Sequence, residues 1–184
     1  MRSIRPALSP DPDAPVVIVE YSDFECPFCA QFVIGAYPQI KSTYIDSGIA
    51  RIVFKDFPLD NYHPLAIPAA VAANCVAQEL GDAAFFAYHD RLFFQQSELS
   101  ESTIINWARD AGLSDEQINA CIADPSMEDE ILADRSEGSR AGIDGTPSFV
   151  INGELIVGAQ PYAVFKQSIE RALERAQTNR SCGS

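Results

Sequence analysis

The sequence is short of long apolar runs, of basic residues and of histidine, and each shortage excludes something. No uninterrupted apolar stretch reaches the roughly 18 residues that a membrane-spanning helix needs. The opening MRSIRPALSPDPDAP lacks the apolar core of about 7–15 residues that marks a secretory signal. It is therefore not an intact signal peptide; either the protein stays inside the cell or a signal has been removed. Lys and Arg number 13 against 26 Asp and Glu, for a formal net charge of −13. That balance argues against a nucleic-acid partner and against docking on anionic lipid. Most of these carboxylates are expected to be solvated surface. With only two histidines, His63 and His89, and no second Cys-x-x-Cys, four ligands for a structural zinc are not at hand. No internal repeat or low-complexity segment occurs.

What is present suits a soluble globular protein: 184 residues, 47% hydrophobic and 21% charged. APVVIVEYS (14–22) is β-branched and reads as a buried strand. Pro27 fits the first turn of a helix that runs to Gly48 with a kink near Pro38. IARIVFKDFPL (49–59) is a second strand, so the three elements form a βαβ unit with a parallel pair. From 64 to 141 helix signals follow one another. One Ala-rich helix closes on Gly81; Asp82 can cap the next, where Phe85, His89, Leu92 and Phe93 share a face. Another stops at Gly112, Ser114 with Gln117 makes a capping box, and Ser126 can cap a further helix. TPSFVING and ELIVG then read as a hairpin turning at Asn152-Gly153. The last helix has Val164, Phe165, Ile169, Ala172 and Leu173 on its inner side. The simplest organisation is an α/β sheet domain over 14–62 and 143–178, interrupted by a helical insertion at 63–142. An arm (1–13) precedes it and a flexible tail (179–184) follows, in which Cys182 is a thiol without a role.

The chemistry centres on EYSDFECPFCAQF (20–32). A thiolate, not a thiol, attacks a disulfide. Cys26 sits where a strand ends and a helix begins, where about half a positive charge and unpaired N–H groups favour S⁻. Cys29 follows at the spacing that closes a small ring. Cys26 can thus form a mixed disulfide that Cys29 resolves. A zinc half-site or an inert buried pair are the alternatives. Glu20 lies inside an apolar run, and burial there raises a carboxyl pKa into a range useful for accepting the Cys29 proton. Lys55 is similarly out of place in IVFKDF. Glu20 and Lys55 are expected to face each other under the cysteine pair, against the alternative that both point to solvent from opposite faces.

SDFECPFC, FKDFPL, the AANC helix, YHDRLF and above all GTPSFVING resemble DsbA-like thiol-disulfide oxidoreductases of the thioredoxin superfamily. The resemblance covers roughly 14–175. It implies a thioredoxin fold (βαβ–ββα) with an inserted all-helical domain, and a redox-active disulfide with no other cofactor. It implies that Pro147, after Thr146, is a cis-proline beside the cysteine pair; from the residues alone it could equally be a trans strand-initiating proline. Pro27, Phe28, Thr146 and Pro147 would contact an extended substrate peptide. Glu20 and Lys55 fall where the superfamily places its buried acid and nearby lysine. The family often has Pro-His between the cysteines; Phe28 here offers no hydrogen bond, so a weaker oxidant than DsbA itself (about −120 mV) is expected.

Cys75 and Cys121 are either buried small side chains or, in an oxidising compartment, a structural disulfide of the kind some DsbA-like proteins carry. His63 is read as a loop residue and His89 as a satisfied core histidine. Phe85, Phe86, Phe93 and Phe94 are read as core, with a peptide groove as the alternative. The function expected is a dithiol oxidase that donates the Cys26–Cys29 disulfide to folding exported proteins. Reoxidation by a membrane thiol oxidase, a periplasmic or other extracytoplasmic location and a monomeric state go with it. The short stretch before the first strand leaves no room for a dimerisation domain, which favours oxidase over isomerase. A reductase kept reduced by a thioredoxin-like partner, and a peptide-binding chaperone with incidental thiols, are the competing readings.

Overall fold

The computed structural model describes residues 6–182, with side chains to 178. Two apolar strands form the centre. Strand β2 (Val16–Ser22) runs parallel to β3 (Ala50–Asp56), in register from Val16↔Ala50 to Ser22↔Asp56. Strand β4 (Ser148–Ile151) lies antiparallel on the other side of β2, and β5 (Glu154–Val157) closes a hairpin with it. Asn152 and Gly153 at the hairpin tip both have positive φ (43° and 91°), which few other residue pairs adopt easily. The Asn152 side chain extends the ladder: it accepts from Val17 N–H at 2.8 Å and donates to the Pro15 carbonyl at 3.0 Å.

The expected N-terminal arm is partly a strand. β1 (Ala7–Leu8) pairs antiparallel with β3, giving the order β1-β3-β2-β4-β5. The pairing is a backbone matter, with Phe54 N–H on the Pro6 carbonyl at 2.9 Å, which side-chain pattern does not announce. Residues 1–5 lie outside the described residues.

Between β2 and β3 the chain does not form one kinked helix. Helix α1 (Pro27–Ile34) stops at Gly35, and α2 (Tyr37–Ile40) restarts with Pro38 in its first turn. A π-helical turn over Lys41–Ile45 follows. Between β3 and β4 lie α3 (Ala66–Leu80), α4 (Asp82–Phe94), α5 (Glu101–Ala111), α6 (Asp115–Ile122) and α7 (Pro125–Arg140). The Ser114–Gln117 capping box is present, and a second box joins Ser100 to Thr103. Two expected caps are displaced. Asp82 is inside α4, which starts from Gly81, and instead accepts Ala7 N–H at 3.3 Å. Asp124, not Ser126, caps α7, accepting Ser126 N–H at 2.9 Å because Pro125 takes the first helical position. A disulfide joins Cys75 of α3 to Cys121 of α6. Helix α8 (Tyr162–Cys182) buries Phe165, Ile169 and Ala172, while Val164 is 39% exposed rather than inward. Its backbone runs through part of the expected tail; the Cys182 thiol lies outside the described residues.

Strand alternation divides the sheet into two faces. Val16, Ile18, Glu20 and Ser22 share a face with Ile52, Phe54 and Phe149, under α1, α4 and α8. The core there is continuous with the helical segment through Ala73, Phe85 and Phe93. Phe94 leaves it and is 58% exposed. The opposite face carries Val19, Tyr21 and Lys55 against α7. Helix and sheet meet closely at Gly138, where an added Cβ would lie 2.9 Å from the Tyr21 ring.

Candidate active site

The C-terminal end of β2 passes into a tight turn, and Cys26 becomes the N-cap of α1. Its N–H donates to the Asp23 carbonyl at 3.1 Å. Its own carbonyl accepts Cys29 N–H at 3.1 Å and Ala30 N–H at 3.2 Å. Gln96 clamps the turn from the helical side, donating to the Phe24 and Cys26 carbonyls at 2.9 and 3.0 Å. Across the gap, the Cys26 thiol donates to the Thr146 carbonyl at 3.5 Å. The Thr146–Pro147 peptide bond beside it is cis. Phe28 stands out on the rim, 61% exposed.

The two thiols are electrostatically unlike. The Cys26 pKa is lowered to about 6, first by the hydrogen bond from Cys29, then by the Thr146 side chain and the N–H groups of residues 28 and 29, against the effect of burial. Cys29 is pushed well above the ordinary thiol value by burial and by the negative charge of Cys26. Cys26 is therefore the group that is ionised and able to attack near neutral pH.

Beneath the pair lies a buried polar column. Glu20 is 1% exposed, and burial raises its pKa to about 7 against the lowering effects of His89 and Ser22. Ser22, two residues along the same face of β2, is also 1% exposed, and its hydroxyl acts on both Glu20 and Cys29. Neither Glu20 Oε1 nor Ser22 Oγ has a well-formed hydrogen bond. His89 Nδ1 lies 2.9 Å from Asp90 Oδ1, while its Nε2 has no partner and the ring packs among Phe24, Phe54 and Phe93. It is a core histidine, as the sequence suggests, but not a fully satisfied one.

A second histidine reaches the site from the loop after β3. His63 Nδ1 lies 2.7 Å from Asp23 Oδ2. Asp23 also accepts Glu25 N–H and Leu59 N–H, both at 2.8 Å. Burial alone would lower the His63 pKa; the hydrogen bond and charge of Asp23, with Cys26 and Glu25, outweigh it and raise the pKa. Among the described residues no three His, Cys, Asp or Glu side chains are grouped to hold a metal ion.

A family profile described as Thioredoxin matches residues 8–171. The chain belongs to the thioredoxin family. Its DsbA-like architecture is that of alpha-DsbA1 from Wolbachia pipientis, 25% identical, with a TM-score of 0.84 over 97% of this chain and 96% of that one. A probable disulfide bond formation protein D from Bacillus anthracis is 25% identical, over 89% of this chain and 76% of that protein. The Na(+)/H(+) antiporter NhaA 3 of Salinispora tropica is 34% identical over 141 residues, which is 77% of this chain but 21% of the antiporter. The chain thus spans about a fifth of that relative's length.

Within this thioredoxin-family site the structure brings together Cys26, Cys29, Pro27, Phe28, Glu20, Thr146 and Pro147. Lys55 is elsewhere, which corrects the expected Glu20–Lys55 pair. Glu20 is in register with Phe54 and Lys55 with Tyr21, so the two side chains leave opposite faces of the sheet. Nor does either reach solvent. Lys55 is buried beneath α7, with Nζ 3.4 Å from Asp134 and 2.5 Å from Glu137 and 5.7 Å from the Tyr21 ring centre. Ser22 and Gln96 lie at the candidate site and sequence reasoning passed them over; His63 is the loop residue it was read as, but its loop brings it to the Cys26 turn. His63 had a usable signal: parallel strands send their following loops out of one edge, so the loop after β3 must lie beside the Cys26 turn.

Proposed function

We propose that this protein is a dithiol oxidase that donates a Cys26–Cys29 disulfide to cysteine-containing protein substrates. The observation that carries the reading is the opposition of the two thiols: Cys26 poised as a thiolate at a helix N-terminus, Cys29 buried and protonated. From the oxidised pair, a substrate thiolate attacks Cys26 Sγ. The Cys26–Cys29 bond breaks, and Cys29 leaves as a thiolate that takes up a proton. A second substrate thiolate then attacks the substrate sulfur of the mixed disulfide and releases Cys26 as a thiolate. The substrate loses two electrons and the pair gains them. Glu20, kept partly protonated near neutral pH by burial, is the proton source for Cys29, and a small rotation of the Ser22 hydroxyl links the two. The same groups run in reverse when the pair is reoxidised. Phe28 and Pro27 on the rim, with Thr146 and Pro147 opposite, receive the substrate strand.

The Cys75–Cys121 bridge supports work in an oxidising compartment, where such bonds persist. A membrane thiol oxidase is the reoxidant that suits such a cycle. Among the described residues no helix is long and apolar enough to cross a membrane. The test is a Cys29→Ala variant mixed with a disulfide-bonded peptide, alongside oxidised wild type mixed with a reduced dithiol peptide. The account expects a trapped Cys26–peptide adduct in the first and stoichiometric peptide oxidation in the second. Holdase activity that survives Cys26→Ala, with no thiol exchange in the wild type, would instead support a peptide-binding chaperone.

A further inference from the structure

Phe28 brings no charge to Cys26, and the loop after β3 carries a histidine to the same turn. The loop after β3 is fastened to the Cys26 turn along its length. Phe57 N–H donates to the Ser22 carbonyl at 2.8 Å and Leu59 N–H to Asp23 Oδ2 at 2.8 Å. His63 Nδ1 meets the same Asp23 oxygen at 2.7 Å, and Leu65 N–H donates to Glu25 Oε2 at 2.6 Å. Asp23 has no side-chain exposure, so it is a fixed anchor, and its carbonyl holds the Cys26 N–H. His63 keeps 19% side-chain exposure and can exchange protons with solvent. The other cations nearby are committed elsewhere: Lys55 to Asp134 and Glu137 on the far face, and Arg135 to Asp60.

We propose that His63 is a redox-linked charge, held by Asp23 beside the Cys26 turn, which stabilises the reduced pair and so sets how strongly the Cys26–Cys29 disulfide oxidises. This rests on the reading of Cys26 as the sulfur that becomes the thiolate. In the disulfide, Cys26 carries no charge. Reduction by a substrate dithiol delivers two electrons, protonates Cys29 and leaves Cys26 negative. His63 then binds its proton more tightly, and by reciprocity a protonated His63 favours reduction. The groups that face His63 are Asp23, Glu25 and Cys26 on the turn, with Asp60 on its own loop paired to Arg135 of α7. Of these, Cys26 changes charge with redox state and Asp23 is common to both states. The sign follows: the oxidising contribution is full at pH where His63 is protonated in both states and is lost as pH rises past its titration in the reduced form. His63 acts through Cys26 and is a tuning residue rather than a catalytic one.

The wild-type chain has two histidines, so their imidazole resonances can be followed by NMR without any substitution. His63 is expected to titrate at higher pH in the reduced than in the oxidised protein, by half a unit or more. Equal titration in the two states overturns the proposal, and this arm needs no variant to fold. The second arm uses His63→Gln, which can keep a hydrogen bond to Asp23 without the charge. Its equilibrium constant with glutathione is expected to be roughly fivefold less oxidising at about pH 6.5, near 20 mV at 29.6 mV per tenfold, converging on wild type at about pH 9. An equal drop at both pH values indicates a structural role only and also overturns it. The outcomes separate from those of the oxidase reading. A strongly reducing wild-type potential removes that reading and leaves the redox-linked titration intact. A redox-independent His63 in an oxidising protein removes the tuning role alone.

Discussion

Replacing Glu20 by Gln should stabilise the protein at alkaline pH and leave it unchanged in acid. Glu20 is fully buried and its pKa is raised from 4.5 to about 7, chiefly by desolvation. In the unfolded chain it ionises at the ordinary value. The folded state therefore holds the proton more tightly. Its favourable contribution is complete below about pH 4.5 and is lost as pH rises through about 7. A shift of that size corresponds to about 3 kcal/mol of ionisation cost at pH 8. Gln has the same shape and never ionises, so it avoids that cost. For a chain of this size the gain is roughly 6–12 °C in Tm. Asp56 is also buried, with its pKa raised to about 7, and titrates in the same window. The quantity to measure is thus the difference between variant and wild type, in which Asp56 cancels. Denaturant unfolding of the reduced proteins at pH 4 and pH 8 gives that difference. Equal stability of the two proteins at both pH values would refute the reasoning. The same variant should slow protonation of Cys29 when the mixed disulfide forms, and the loss should follow the Glu20 titration.

The thiolate absorbance of the reduced protein should rise with a midpoint at about pH 6 and vanish in Cys26→Ala; a midpoint in the ordinary thiol range would contradict the assignment of Cys26 as nucleophile. Lys55→Met should leave the pH profile of thiol exchange as in wild type, because Lys55 faces α7; it should cost about 3 kcal/mol of stability by leaving buried Asp134 without that partner, read by urea unfolding. Removing the second bridge as Cys75→Ser with Cys121→Ser opens a loop of sequence separation 46 and should cost about 4 kcal/mol in the chain-entropy view, with the Cys26 titration unmoved.

The placement of Cys26 and Cys29 was legible because its cause is local: a Cys-x-x-Cys with proline at the first helical position specifies a strand end and a helix start. The hairpin at Asn152-Gly153 and the capping box at Ser114 were legible for the same reason. The cis bond before Pro147 and the Cys75–Cys121 pairing were suggested by resemblance, since neither follows from spacing. Lys55 was misplaced for a definite physical reason. Both faces of the central strands are covered, so VVIVEYS and ARIVFKD place apolar residues on both faces and alternation does not show which face a charged residue takes. A one-residue difference of register decides it, and register is a tertiary property. Ser22 and Gln96 act through their places beside the turn, which residue type alone does not reveal. His63 depends on the loop that Asp23 and Glu25 fasten, and those bonds span about 40 residues of sequence.

The most direct test of the account is the reduction potential of the Cys26–Cys29 couple, measured by equilibration with glutathione at pH 7. Oxidising strength rises as the nucleophile's pKa falls, and thioredoxin (pKa about 7, about −270 mV) and DsbA (about 3.5, about −120 mV) bracket the range. With Cys26 at about 6, the account predicts a potential between those two values. A potential at or below about −270 mV would contradict a dithiol oxidase, and one at or above about −120 mV would contradict the weakening assigned to Phe28.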